Sequence, residues 1–293
     1  MKTMRPLLFS LFLVLVSVAY ASAVTIYGTA YSGSSGPATL YTIDPSTGVA
    51  TLVGLTGYNR VGAIDFDPST GVLYGVGTVP TTSMVDLISI NTATGAGTAI
   101  GATGTDTFQD ISFRSDGTLF GFSAGNIYTI NLTTGAATLI GATGVDFNTS
   151  RGNALAFDPS NTLYQIDRNV IRTIDTTTGM ATDTGTTVNY PIDLGVNPRT
   201  NAMDFDLTTG TLYASIFSLS DEAIPENFIA EIDLATGTVT DPQITVSGLD
   251  GLAVLPTISN SVPEAMSTLW LALPLLGLFA FGRLRSQSAA ASV

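Results

Sequence analysis

Between Leu40 and Gln243 one pattern recurs five times. The first copy reads Leu40-Tyr-Thr-Ile-Asp-Pro-Ser-Thr-Gly-Val-Ala-Thr-Leu-Val-Gly54, and relatives run Leu87 to Gly101, Ile127 to Gly141, Ile171 to Gly185 and Ile229 to Gln243. Each is a short apolar strand, a polar turn ending in Thr-Gly or a close variant, and a second strand. A second pattern interleaves with it, first as Ala63-Ile-Asp-Phe-Asp-Pro-Ser-Thr-Gly-Val-Leu-Tyr-Gly75. Asp or Asn at the head of such a turn can bond the backbone ahead of it, and the glycine supplies positive φ.

Two hairpins per period of roughly 40–50 residues is the spacing of a β-propeller blade. The copies align on Phe66, Phe113, Phe157, Phe205 and Val254, with Ile64, Ile111, Leu155, Met203 and Leu252 two positions upstream. Between these columns stand Asp65, Ser112, Ala156, Asp204 and Ala253. Such period-two alternation predicts strands. In one blade the expected order is Ala63 to Asp67 innermost, then Leu73 to Val76, Leu87 to Asn91 and Gly97 to Ile100. Thr25 to Gly28 reads as a second strand lacking an inner one, and Gly251 to Leu255 as an inner strand lacking a second. Together they complete one sheet and leave no open edge. The expected fold class is therefore all-β, a five-bladed propeller over residues 24–258 closed by strands from both ends. The Thr-Gly turns lie on one face. Longer connections, including Gly54 to Val61, Thr186 to Asn201 and Ile216 to Asn227, lie on the other, where a binding site is expected.

The two ends carry signals of another kind. Lys2 and Arg5, the apolar run Leu7 to Val18 and the small residues Ala21 and Ala23 describe an export signal helix over 1–23, with cleavage after Ala23. Residues 259–268 form a linker containing Val262-Pro263-Glu264 and Ser267-Thr268. An apolar helix with a basic stop follows over 269–285, ending in Arg283 and Arg285, and a disordered end over 286–293. This succession resembles the bacterial PEP-CTERM sorting signal, with Ala265 in place of the second proline. The resemblance implies an exosortase-type processing enzyme as partner and transient anchoring in the inner membrane. It also implies a final location in the cell envelope or extracellular matrix. The repeat text resembles secreted bacterial propeller proteins of uncharacterised function. It lacks the tryptophan-docking pattern of quinoproteins, so no cofactor is carried over.

Composition narrows the chemistry. The chain has no cysteine and no histidine. Disulfides, thiolate nucleophiles, Ser-His-Asp triads and the usual zinc sites are thereby excluded. From Val24 to Val262 six arginines face 22 acidic residues, a net charge of −16. Such a surface repels nucleic acid.

Half of those arginines fall at one repeat position. Arg60, Arg151 and Arg199 each stand six residues before the aligned phenylalanine. They are expected to gather at the channel mouth and clamp a carboxylate, phosphate or sulfate, or else to pair with aspartates such as Asp65 and Asp204. Asp65-x-Asp67 and Asp204-x-Asp206 superficially resemble calcium loops, but they supply too few oxygens, so no metal site is expected. Asp65, Asp110, Asp204 and Asp250 are the acids available to a carboxylate-dependent glycoside hydrolase or lyase. The expected function is non-enzymatic, either recognition, with polysaccharide or an envelope protein as partner, or a structural role in the matrix with no specific ligand. The hydrolase or lyase is the alternative.

Overall fold

The computed structural model describes residues 24–31, 36–146, 153–219 and 225–257. Ala21 and Ala23, Arg151, the sorting residues Val262, Pro263, Glu264, Ser267 and Thr268, and the segments expected to form the two terminal helices lie outside these residues. Among the described residues no helix is long and apolar enough to cross a membrane.

The architecture is all-β and antiparallel. Strands β1 (Ile26–Ala30), β2 (Pro37–Ile43), β3 (Ala50–Phe66), β4 (Leu73–Thr78), β5 (Val85–Ile90) and β6 (Gly97–Ala102) join one sheet in sequence order. A second sheet holds β7 (Asp110–Phe113), β8 (Leu119–Ser123), β9 (Asn126–Ile130) and β10 (Ala137–Ala142). The third holds β11 (Asn153–Phe157), β12 (Leu163–Asp167), β13 (Val170–Ile174) and β14 (Ala181–Thr187). The fourth holds β15 (Val196–Phe205), β16 (Leu212–Leu219), β17 (Pro225–Ile232) and β18 (Val239–Ile244). The last strand, β19 (Leu249–Val254), returns to the first sheet and pairs with β1, placing Ile26 opposite Val254 and Gly28 opposite Leu252. The expected meeting of the two ends is thus present in the register.

Three of the expected long connections are corrected. Gly54 to Val61 is not a loop. It is the middle of β3, which pairs first with β2 and then with β4. Its sequence contains no turn chemistry strong enough to end the strand, and the ladder instead shifts register between Asn59 and Ala63. Ile216 to Asn227 is largely strand as well, because β16 and β17 stay paired out to Leu219 opposite Pro225. Thr186 to Asn201 contains a short 3₁₀ turn at Ile192–Leu194 and the start of β15.

The expected inner strands β3, β7, β11, β15 and β19 are neighbours in that cyclic order. Among the described residues the hydrophobic core divides into five clusters of buried side chains. The aligned phenylalanines explain why. Each receives an aromatic ring from the preceding group of strands: Tyr27 on Phe66 at 5.5 Å, Tyr74 on Phe113 at 5.4 Å, Phe120 on Phe157 at 5.2 Å and Tyr164 on Phe205 at 6.3 Å. Val254 takes the same place against Tyr213. Such tilted or edge-on aromatic pairs add about 0.5–1.5 kcal/mol each beyond their buried area.

The terminal glycine of the repeat has a separate cause. A Cβ on Gly54 would lie 2.0 Å from the Thr94 carbonyl oxygen, and one on Gly101 would lie 2.2 Å from that of Thr134. The Thr-Gly turn of one group therefore seats on the outer strand of the group before it. The first turn closes the circle, since a Cβ on Gly48 would meet the Ile244 carbonyl at 2.1 Å. The turns themselves form as expected. The Asp44 side chain accepts from the Ser46 N–H at 2.9 Å, Asn131 from Thr133 at 2.8 Å, and Asp175 from Thr177 at 2.7 Å.

Candidate functional site

The five inner strands enclose an axis whose two ends differ. On the turn side Asp65 and Asp204 are buried, and Asp110 lies further along the strands. Each carboxylate bonds backbone rather than a cation. Asp65 accepts from Phe66 N–H and from Phe113 N–H on the neighbouring strand, both at 2.6 Å. Asp204 accepts from Phe205 N–H at 2.8 Å and from Val254 N–H at 2.7 Å. Asp110 accepts from Ile111 N–H at 3.0 Å, Leu155 N–H at 2.8 Å and the Met203 backbone. These acids therefore tie inner strands together. A side-chain hydrogen bond also links Asp65 to Asp204.

Burial dominates their titration. It pushes Asp65 and Asp110 well above the usual carboxylate range, with repulsion from Asp204 adding to the rise and the backbone N–H bonds opposing it. Asp204 is pushed up to about 7, chiefly by burial, against the pull of its two backbone donors and of Asp65. Pro68, Leu207 and Pro256 pack at this end with the phenylalanine rings and leave a void of only about 10 Å³. These three acids do not face an open cleft. Nor do Asp65 and Asp67 share a site. Asp67 spends its oxygens on Ser69 and Thr70 within its own turn.

On the loop side the axis opens into a polar cavity of about 240 Å³. One layer of its lining comes from a single repeat position. Gly62, Gln109, Asn153, Asn201 and Asp250 each stand four residues before the aligned column. Arg60, Thr107 and Arg199, two residues earlier, form the rim. The structure thus brings Arg60 and Arg199 to one cavity, as expected from their spacing.

Local structure aims each arginine. Arg60 occupies the left-handed region at φ 49°, where β3 shifts register. That conformation costs a side-chain-bearing residue roughly 1–2 kcal/mol. The Arg60 side chain acts on the Tyr31 hydroxyl, which donates to Asp250 Oδ2. Burial, with Asp250 alongside, holds the Tyr31 hydroxyl protonated far above its ordinary range. Arg199 lies opposite Phe217 across the β15–β16 ladder, and its guanidinium stacks 4.1 Å above that ring. Its Nε donates to Asn201 Oδ1 at 3.3 Å. Burial lowers the Arg199 pKa, and Asp250 opposes the shift. Asp250 itself is raised by burial and drawn down by Tyr31, Arg60 and Arg199. Among the described residues the ion pairs are Arg114–Asp116 at 2.6 Å and Arg172–Asp167 at 3.4 Å. Pairing of the rim arginines with Asp65 or Asp204 is not observed.

Sequence reasoning missed Tyr31 and the amide layer. The layer had a signal: polar residues at one column just ahead of apolar strands. Tyr31 had none, because it meets Asp250 only after the chain ends close.

No protein-family model matches the chain, and no curated protein matches it. Solved structures do match. A chain of the nidogen/laminin complex aligns at 13% identity and a TM-score of 0.50, covering 79% of this chain and 98% of that one. TolB from Acinetobacter baumannii aligns at 11% and 0.46, covering 80% and 67%. A 6-phosphogluconolactonase-like protein from Bacteroides uniformis aligns at 11% and 0.42, covering 79% and 99%. The likeness is one of fold, and it is β-propeller-like.

Proposed function

We propose that the chain is an exported five-bladed propeller that recognises a polar envelope ligand, a glycan before a protein, through the cavity on its loop side. In this reading the seven-stranded sheet is two blades joined through the continuous strand β3. The cyclic contacts of β3, β7, β11, β15 and β19 support that count. One observation carries the functional reading. The axis is packed shut at the turn end and open at the loop end, where amides, hydroxyls and two guanidiniums converge. Concave sites with a few convergent polar groups are where small ligands bind.

Among the described lining residues Asp250 is the one carboxylate. Glycoside hydrolysis by paired acids needs two flanking the bond, so recognition is favoured over the hydrolase or lyase reading. Export and envelope sorting rest on the terminal sequences, with Val262-Pro263-Glu264 as the processing signal and the apolar tail as a transient anchor.

The ligand reading is tested by a glycan panel on the purified chain and its Gln109→Ala/Asn201→Ala double variant. Glycans are expected to bind the native protein and to be lost from the variant. Retention by the variant would place the site elsewhere. Sorting is tested by mass spectrometry of the envelope-associated protein, whose C-terminus is expected near Val262 to Thr268. An intact Val293 terminus contradicts it.

A further inference from the structure

The reading above leaves the ligand's charge and size open. We infer that the loop-side cavity takes a sugar acid, a single hydroxylated ring bearing one carboxylate, with Arg199 as the carboxylate fork. The inference rests on the loop-side binding reading and makes it more specific.

Geometry selects the carboxylate. The guanidinium of Arg199 is held flat by Phe217 at 4.1 Å and fixed in rotation by the Nε bond to Asn201. Its terminal N–H edge is left for a ligand. A planar fork matches a planar two-oxygen acceptor, and a preset guanidinium loses less entropy on binding it. Arg60 adds a second positive charge at the rim.

Among the described lining residues the charge balance favours a monoanion. Asp250 sits in the lining between the two arginines and interacts with both. The described lining residues therefore hold two positive groups and one acid. One carboxylate brings them to neutrality. A phosphate dianion brings a second negative charge against Asp250 with no further cation among the described lining residues to balance it.

Size and lining select a sugar ring. Drug-sized ligands occupy pockets of about 300–1,000 Å³, whereas this cavity offers about 240 Å³. That is room for about one ring inside the cavity. Gln109, Asn201 and Thr107 face it with amide and hydroxyl groups suited to ring hydroxyls. The Phe217 ring that could have stacked on a sugar is already covered by Arg199.

Calorimetry on the full chain tests this with sodium galacturonate, its methyl ester, galactose and inorganic phosphate. Galacturonate is expected to bind, and the ester and galactose to bind about tenfold or more weakly. Phosphate should neither bind comparably nor compete. Arg199→Ala should lose about tenfold or more in galacturonate affinity, with Arg199→Lys recovering part of it. Thermal melting of both variants checks that they remain folded. Equal binding of galactose, or stronger binding of phosphate, overturns the sugar-acid assignment and leaves the loop-side reading standing. Galacturonate binding that survives in the Gln109→Ala/Asn201→Ala variant overturns both.

Discussion

Asp204 and Asp250 lie on adjacent inner strands at opposite ends of one axis, and their surroundings give them different work. Asp204 is buried against two backbone N–H groups and another carboxyl, with no cation beside it. Asp250 lines an open cavity between a tyrosine hydroxyl and two arginines. A buried acid without a cation behaves as a hydrogen-bonding fastener, and its charge becomes a liability. An acid that two arginines and a tyrosine hydroxyl draw down against the lift of its burial, in the lining of an open cavity, can shape what binds there. The turn end is therefore read as structure and the loop end as the site.

The sharpest way to break this contrast is to truncate both acids. Asp204→Ala leaves the Phe205 and Val254 N–H groups buried and unpaired, at about 1–3 kcal/mol each. Asp250→Ala frees Tyr31 into a cavity that water can fill, so its cost should be less than half as large. Urea unfolding of the two variants makes the comparison, and equal losses would erase the distinction.

A smaller effect comes from pH. The buried acids titrate higher in the folded state than the usual unfolded value near ~3.9. The folded protein thus binds more protons than the unfolded chain. The stability these groups contribute is complete below that value and is lost as pH rises through about 7, where Asp204 ionises. Melting temperature should fall between pH 5 and pH 8 at constant ionic strength. Asp204→Asn, already weakened by one mismatched donor, should show a shallower fall. A slope unchanged by that substitution assigns the titration to other groups.

The smallest effect on stability concerns Arg60. Glycine accepts its left-handed backbone without cost, so Arg60→Gly should melt at the native temperature or slightly above. It should nonetheless bind galacturonate several-fold more weakly. A clear loss of stability would mean that the guanidinium holds the fold together.

Much of this molecule could be read before its coordinates. The strands, the Thr-Gly turns and the Phe66, Phe113, Phe157 and Phe205 column follow from period-two patterning and turn chemistry, which act over a few residues. So did the convergence of Arg60 and Arg199, because equal repeat positions occupy equal places around an axis. The roles of Asp65, Asp110 and Asp204 were not legible. Their N–H partners, Phe113, Leu155 and Val254, lie 45 to 50 residues away on neighbouring strands, so the sequence offered these acids only as candidates for the alternative, hydrolytic reading. The length of β3 was also missed. Gly54 to Val61 read as a connection, but it is strand, and Gly54 is small because the Thr94 carbonyl approaches it. The Tyr31–Asp250 contact spans 219 residues and exists only because β1 and β19 pair.

The division of labour along the axis is tested most directly by amide chemical-shift mapping during a galacturonate titration. The account predicts shifts at Gln109, Asn153, Asn201 and Asp250, with Phe66, Phe113, Phe205 and Val254 unmoved. Shifts concentrated at the latter four would place the ligand at the sealed end and contradict it.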